Sequence, residues 1–220
     1  MATEIATIPL QPGVDLEDPQ SAAGKVLENT FSVLRQQDGY QRAYHGRQVE
    51  NPNIWQLLID WDSVDAHKKF MTQPSYEPFA KHLMSIIDDD IQSLLHAHLS
   101  PHPPSAALTS PVTEMITHYF SADISKSELS SFESSMKEFF RCLEENAEGF
   151  KSFAGGWVVE EVEHEDVEGK AKSWQSCVGW QSVEAHMAFR ETKHFRDNVH
   201  RIRPDFKKAM TVHHTKFTEV

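Results

Sequence analysis

One stretch of this chain occurs twice. Trp55, Trp61, Ser63, Val64, Ala66, His67 and Phe70 are matched 119 residues later by Trp174, Trp180, Ser182, Val183, Ala185, His186 and Phe189, with an acid, Asp65 or Glu184, in the same slot. Upstream, Thr3-Glu4-Ile5 and Asp38-Gly39-Tyr40 are matched by Thr113-Glu114-Met115 and Glu148-Gly149-Phe150 at an offset of 110. The second copy therefore carries nine extra residues, and the acidic run Glu160–Lys172 is expected to hold them as a polar loop. Self-similarity at a fixed long period means that one structural unit is used twice, so 220 residues divide into two small domains rather than one large one. Ser100–Pro111 holds four prolines in twelve residues and is expected to be an extended linker. The expected boundaries are 1–100 for the first repeat, 101–111 for the linker and 112–220 for the second repeat.

Each copy reads in the same order. A strand comes first (Glu4–Leu10; Glu114–Phe120). A helix follows, with Val26, Thr30, Val33 and Leu34, or Met136, Phe139, Phe140 and Leu143, on one face. Gly39 or Gly149 stops that helix. A strand pair ends on Trp61 or Trp180, and Ser63 or Ser182 is placed to cap the next helix. A last strand closes the copy (Ile91–Leu99; Met210–Phe217). The pattern is βαββαβ, an α+β ferredoxin-like unit. Two such units are expected to pair their sheets as an intramolecular α/β barrel, because each sheet has an apolar face to cover.

The charge narrows the partners. Twenty-one basic against 33 acidic residues leave a net of −12, which disfavours nucleic acid and anionic membrane surfaces. Two cysteines, Cys142 and Cys177, are too few for a disulfide scaffold. With no signal-like start and no long apolar run, a soluble cytoplasmic chain is expected.

The W-x-S-x-[DE]-A-H-x-x-F pattern after a Trp-ended strand resembles the dimeric α/β-barrel superfamily, and within it the antibiotic-biosynthesis-monooxygenase-like proteins in the tandem-repeat form found in fungi. The resemblance covers both copies. It implies a monooxygenase of secondary metabolism that acts on an aromatic or polyketide-like molecule with molecular oxygen and no cofactor. Other members' machinery does not map onto this chain. Phe70 and Phe189 stand at the Trp position of haem degraders, Ala80 and Val199 at their His position, and neither first strand has their Asn. The Tyr and His slots of the polyketide cyclases hold Phe70 and Tyr76, and Phe189 and Phe195, with His194 one residue away.

Thirteen histidines supply candidate bases, since imidazole titrates near neutrality. His67 and His186 recur with the repeat and suit either a pocket wall or a structural seam. His118 stands where the first copy has Ile8. On a strand it shares a face with Ile116 and Phe120, where burial would lower its pKa. Trp157 follows Gly155-Gly156 and replaces Arg47, and His194 and His213 replace Ser75 and Leu94. These exchanges point to the second copy as the working half. His118, His186 and His194 are the candidate catalytic residues. Trp157, Tyr119, Phe189, His213, His67 and Phe70 are the candidate substrate-binding residues. His96-Ala-His98 has strand-chelate spacing, but no metal quartet forms from local spacing, and no nucleotide-binding or nucleophile-elbow motif occurs. The expected function is a cofactor-independent oxygenase for a small hydrophobic aromatic molecule. A non-oxidative cyclase or isomerase and a non-catalytic ligand-binding barrel are the alternatives, and homodimerisation of the chain stays open.

Overall fold

The computed structural model describes residues 1–89 and 91–220. They form two compact units, 1–97 with 218–220, and 98–217.

Unit 1 runs β1 (Ala2–Pro9), α1 (Ala22–Leu34), β2 (Tyr40–Arg47), β3 (Ile54–Trp61), α2 (Val64–Met71), α3 (Tyr76–Met84) and β4 (Ser93–Ala97). Its antiparallel sheet has the order β2-β3-β1-β4, the ferredoxin-like arrangement. Along β1, Glu4, Ala6 and Ile8 share one face and Thr3, Ile5 and Thr7 the other, as strand alternation requires. The first set lies against the helices, where α1 buries Ala23, Val26, Leu27, Thr30, Phe31 and Leu34. On the other face Thr3 and Ile5 are buried and Thr7 is half-buried, and Thr3 Oγ1 donates to Asp60 Oδ1 at 2.6 Å there.

Unit 2 begins with a helical turn, α4 (Ser105–Leu108), and continues β5 (Val112–Ser121), α5 (Lys126–Asn146), β6 (Phe150–Trp157), β7 (Val162–His164), β8 (Val167–Trp180), α6 (Val183–Arg190), α7 (Lys193–Asn198) and β9 (Lys207–Thr215). Its sheet order, β6-β8-β5-β9, repeats that of unit 1. Helix α5 starts on a reciprocal cap between Ser125 and Glu128 and buries Phe132, Met136, Phe139, Phe140 and Leu143.

Four local expectations are corrected. The proline-rich segment is not extended throughout, because Ser105–Leu108 coils and buries Ala107 and Leu108. The inserted acidic run is a hairpin: β7 pairs with the start of β8, where Val167 and Ala171 alternate with polar residues. The helix after Trp61 is two helices, since Pro74 interrupts the first copy and a Thr192 cap restarts the second. Residues 218–220 leave unit 2, and strand β10 (Thr218–Glu219) pairs with β2 of unit 1.

Gly155-Gly156 has a backbone purpose. His98 N donates to Trp157 O, and Ser100 and Gly155 exchange both of their backbone hydrogen bonds at 3.0 Å. A Cβ on Gly156 would sit 1.9 Å from the His98 carbonyl oxygen, so only glycine admits this strand pairing.

Candidate functional site

The repeated motif builds a side-chain cluster in a fixed sequence of steps. Ser63 caps α2 by accepting from Ala66 N at 3.1 Å, which sets where the helix begins. His67 then falls over the indole of Trp61, with ring centroids 5.1 Å apart and planes 13° from parallel. Trp61 Nε1 donates to Glu4 Oε2 at 2.8 Å. His67 Nδ1 lies 3.3 Å from the same carboxylate oxygen and 2.8 Å from Nε2 of His96. Glu4 and His96 are direct neighbours across the β1–β4 ladder. All four side chains are buried. Burial pushes the Glu4 carboxyl up to about 7, while the Trp61 hydrogen bond and His96 pull it back down.

Unit 2 repeats the quartet. Trp180 Nε1 donates to Glu114 Oε2 at 3.1 Å, His186 stacks on Trp180 at 5.1 Å, and His186 Nδ1 meets His214 Nε2 at 2.9 Å. His186 reaches Glu114 through its other nitrogen, Nε2, 3.4 Å from Oε1. Both quartets are hydrogen-bonded, as buried polar groups must be.

The surroundings differ. In unit 1 a cavity of about 60 Å³ lies between the sheet and helices α2 and α3. Glu4, His67 and Tyr76 are the residues with polar side-chain atoms on a wall otherwise made of residues such as Ala6, Ile8, Phe70 and Leu83. Met84 also lines the cavity and is exposed, which marks the way in. Two small residues leave the space, Ala6 on β1 and Ala80 on α3. By strand register Ile116 stands where unit 1 has Ala6, each opposite the same position of the neighbouring strand. Val199 stands at the Ala80 position, and both larger residues pack into the unit 2 core.

The sequence-derived candidates are therefore scattered. His67 and Phe70 line the unit 1 cavity. His186 sits in the second quartet, with Phe189 packed near Trp180. His118 is fully buried against Phe132, and neither ring nitrogen makes a hydrogen bond of good geometry. Burial beside Lys207 and Arg203 pushes its pKa down to about 3, opposed only by the nearby Ile202 backbone. Trp157 donates to Glu133 Oε1 at 2.5 Å and packs edge-on against Trp174. Tyr119 lies against His164, with ring centroids 4.2 Å apart. His194 is exposed on α7, in a surface cleft with Arg141, Cys142 and Arg201. His213 lies opposite Met115, the position that Leu95 holds against Ile5, so its counterpart is Leu95 and not Leu94.

Glu4, Glu114 and His214 are functional candidates that sequence reasoning missed, and His96 was weighed there only for its spacing to His98. The signal was present: a glutamate recurs on an apolar strand in both copies. The last strands are offset by 118 residues rather than 119, which hid the match of His96 with His214.

No family model matches the chain, and no curated protein sequence does. Solved structures do. A candidate monooxygenase from Lactobacillus acidophilus NCFM superposes with a TM-score of 0.61 at 10% identity, over 100% of this chain and 95% of its own. A candidate monooxygenase from Fusobacterium nucleatum subsp. nucleatum gives 0.61 at 9% identity, over 98% and 91%. An anthrone oxidase-like protein gives 0.63 at 12% identity, over 100% and 92%. At these identities the likeness is one of fold. Among the described residues no helix is long and apolar enough to cross a membrane.

Proposed function

We propose that this chain is a cofactor-independent oxygenase acting on a small phenolic or anthrone-like aromatic molecule, and that the reaction takes place in the unit 1 cavity. The observation that carries the reading is a carboxyl group with a pKa of about 7 on the wall of an apolar cavity, hydrogen-bonded to Trp61 and close to His67. A base poised near the working pH is what proton abstraction needs. The names of the similar structures, monooxygenases and an anthrone oxidase-like protein, support the same reaction class.

Glu4 takes a proton from the activated C–H or O–H of the substrate, and the Glu4–His67–His96 chain spreads the charge. The electron-rich anion reduces dioxygen and combines with it as a peroxide. Protonation and loss of water from a CH–OOH carbon leave a carbonyl, so one CH2 and one O2 become C=O and H2O. Tyr76 can donate a hydrogen bond to the developing oxyanion, and the apolar wall excludes water. At about 60 Å³ the cavity is well below the roughly 300–1,000 Å³ of an ordinary ligand pocket. Substrate entry therefore requires α3 to swing outward.

Oxygen uptake with anthrone and simple polycyclic phenols tests the proposal. Glu4→Gln should lower turnover by about 10²-fold or more, whereas Glu114→Gln should leave it largely intact. Product formed without oxygen uptake would make the chain a cyclase or isomerase. Equal losses from the two variants would place the chemistry elsewhere.

A further inference from the structure

We propose that Glu4, His67 and His96 form a binding site for one divalent transition-metal ion of the zinc or cobalt type, and that filling it switches off the base which the same residues provide.

The three side chains come from β1, α2 and β4, and one ligand atom of each lies within 4.8 Å of the other two. Glu4 Oε2 and His96 Nε2 both approach a single atom, His67 Nδ1, at 3.3 and 2.8 Å. Ligand atoms held at about 2.0–2.2 Å from a common ion stand about 3–4 Å apart, so side-chain shifts of about 1 Å admit one. Two imidazoles and a carboxylate suit zinc, cobalt or iron, and not the all-oxygen preference of magnesium or calcium. The carboxylate is also oriented from behind by Trp61 Nε1, as ligating carboxylates commonly are. The cavity reaches Glu4 and His67 and gives an ion its way in.

Unit 2 is the built-in control. Its quartet has the same residue types, but Glu114 and His214 meet His186 on different ring nitrogens, Nε2 and Nδ1. Those two nitrogens point away from each other across the imidazole, and among the described residues only the unit 1 set brings one ligand atom of each group within 4.8 Å of the others.

In unit 1 an ion would occupy the Glu4 carboxylate oxygen and the His67 imidazole nitrogen that the cavity reaches, so these atoms could no longer meet a bound substrate. This inhibitory half rests on the proposed function. The binding half does not.

Full-length protein stripped with EDTA and dialysed is titrated with cobalt(II), whose visible d–d bands report a mixed imidazole–carboxylate site. One equivalent of cobalt should give the bands, and one equivalent of zinc should abolish them. His96→Gln and Glu4→Gln should each weaken binding by about 10–100-fold or more, with folding checked by circular dichroism. His214→Gln should bind as the wild type does. Absence of bands up to millimolar cobalt overturns the site, as does wild-type binding by a folded His96→Gln or Glu4→Gln protein. Oxygen uptake separates the two ideas. Zinc should stop turnover of the metal-free protein and EDTA should restore it. Cobalt binding by a protein that never turns over phenolics removes the oxygenase reading and leaves the site standing. Turnover that zinc does not affect overturns the switch.

Discussion

A carboxyl group under an indole ring is held against its own solvation. The Glu4 pKa near 7, against 4.5 without burial, means that folding favours the protonated acid. Its stabilising effect is complete below about pH 4.5 and is lost as pH rises through 7. At about 1.4 kcal/mol per unit, wild type should lose about 3 kcal/mol relative to Glu4→Gln between roughly pH 4 and pH 8, measured by urea unfolding of both. A difference independent of pH would mean that the carboxyl titrates normally. His118 runs the other way. Its folded pKa of about 3 lies below the 6.5 of a free imidazole, so the unfolded chain takes up a proton that the fold excludes, and stability falls as pH drops from 6.5 toward 3. His118→Ile, which installs the residue that unit 1 carries at this place, should stabilise the protein by about 2 kcal/mol at pH 5 relative to pH 8. Oxygen uptake by this variant should match wild type. His118 was legible in the sequence as a buried, pKa-depressed histidine, because strand alternation fixes its face. That it lines none of the described cavities was not legible, since cavities depend on what packs opposite.

The repeated elements show which sequence signals carry through. Ala66 and Ala185 recur because Gly39 and Gly149, at φ +83° and +85°, lie beneath them, and a Cβ at either glycine would come within 2.7 Å of the alanine Cβ. Gly39→Ala should therefore destabilise by about 2–4 kcal/mol, backbone strain and overpacking together. Gly13→Ala has a similar φ, +81°, with open space around it, and should cost only about 1–2 kcal/mol. Thermal melts of the two variants give the comparison directly. The Ser63 and Ser182 caps and the βαββαβ order of elements were legible in the repeat, while the stacking of His67 on Trp61 and of His186 on Trp180 was not. Nor was the cavity, because it arises from two absences of bulk, Ala6 and Ala80, on elements 74 residues apart. Ala6→Ile with Ala80→Val, the unit 2 residues at these places, should abolish oxygen uptake while holding or raising the melting temperature. Retained turnover would place the substrate outside this cavity. The expectation that unit 2 does the work rested on counting titratable residues gained, whereas the proposal for unit 1 rests on the space beside Glu4 and His67.

For the whole molecule, the order of the chain and the order of the units do not coincide. His98–Ser100, which follow the last strand of the first copy, belong to unit 2 and pair with β6. Thr218–Val220, which follow the last strand of the second, belong to unit 1: Thr218 and Glu219 pair with His45 and Tyr44, Val220 N donates to Ala43 O at 2.9 Å, and Val220 O accepts from the Tyr40 hydroxyl. Sequence alignment places each of these segments with the wrong copy, because it knows neighbours along the chain and not across a sheet edge. The consequence is one of timing during synthesis. A ribosome releases the first hundred residues long before residue 218 emerges, so the nascent first unit waits with the β2 edge bare through the making of the entire second unit. An interrupted translation product ending anywhere before residue 218 should expose that edge to other chains, and should be found with chaperones or in aggregates rather than as a half-functional protein.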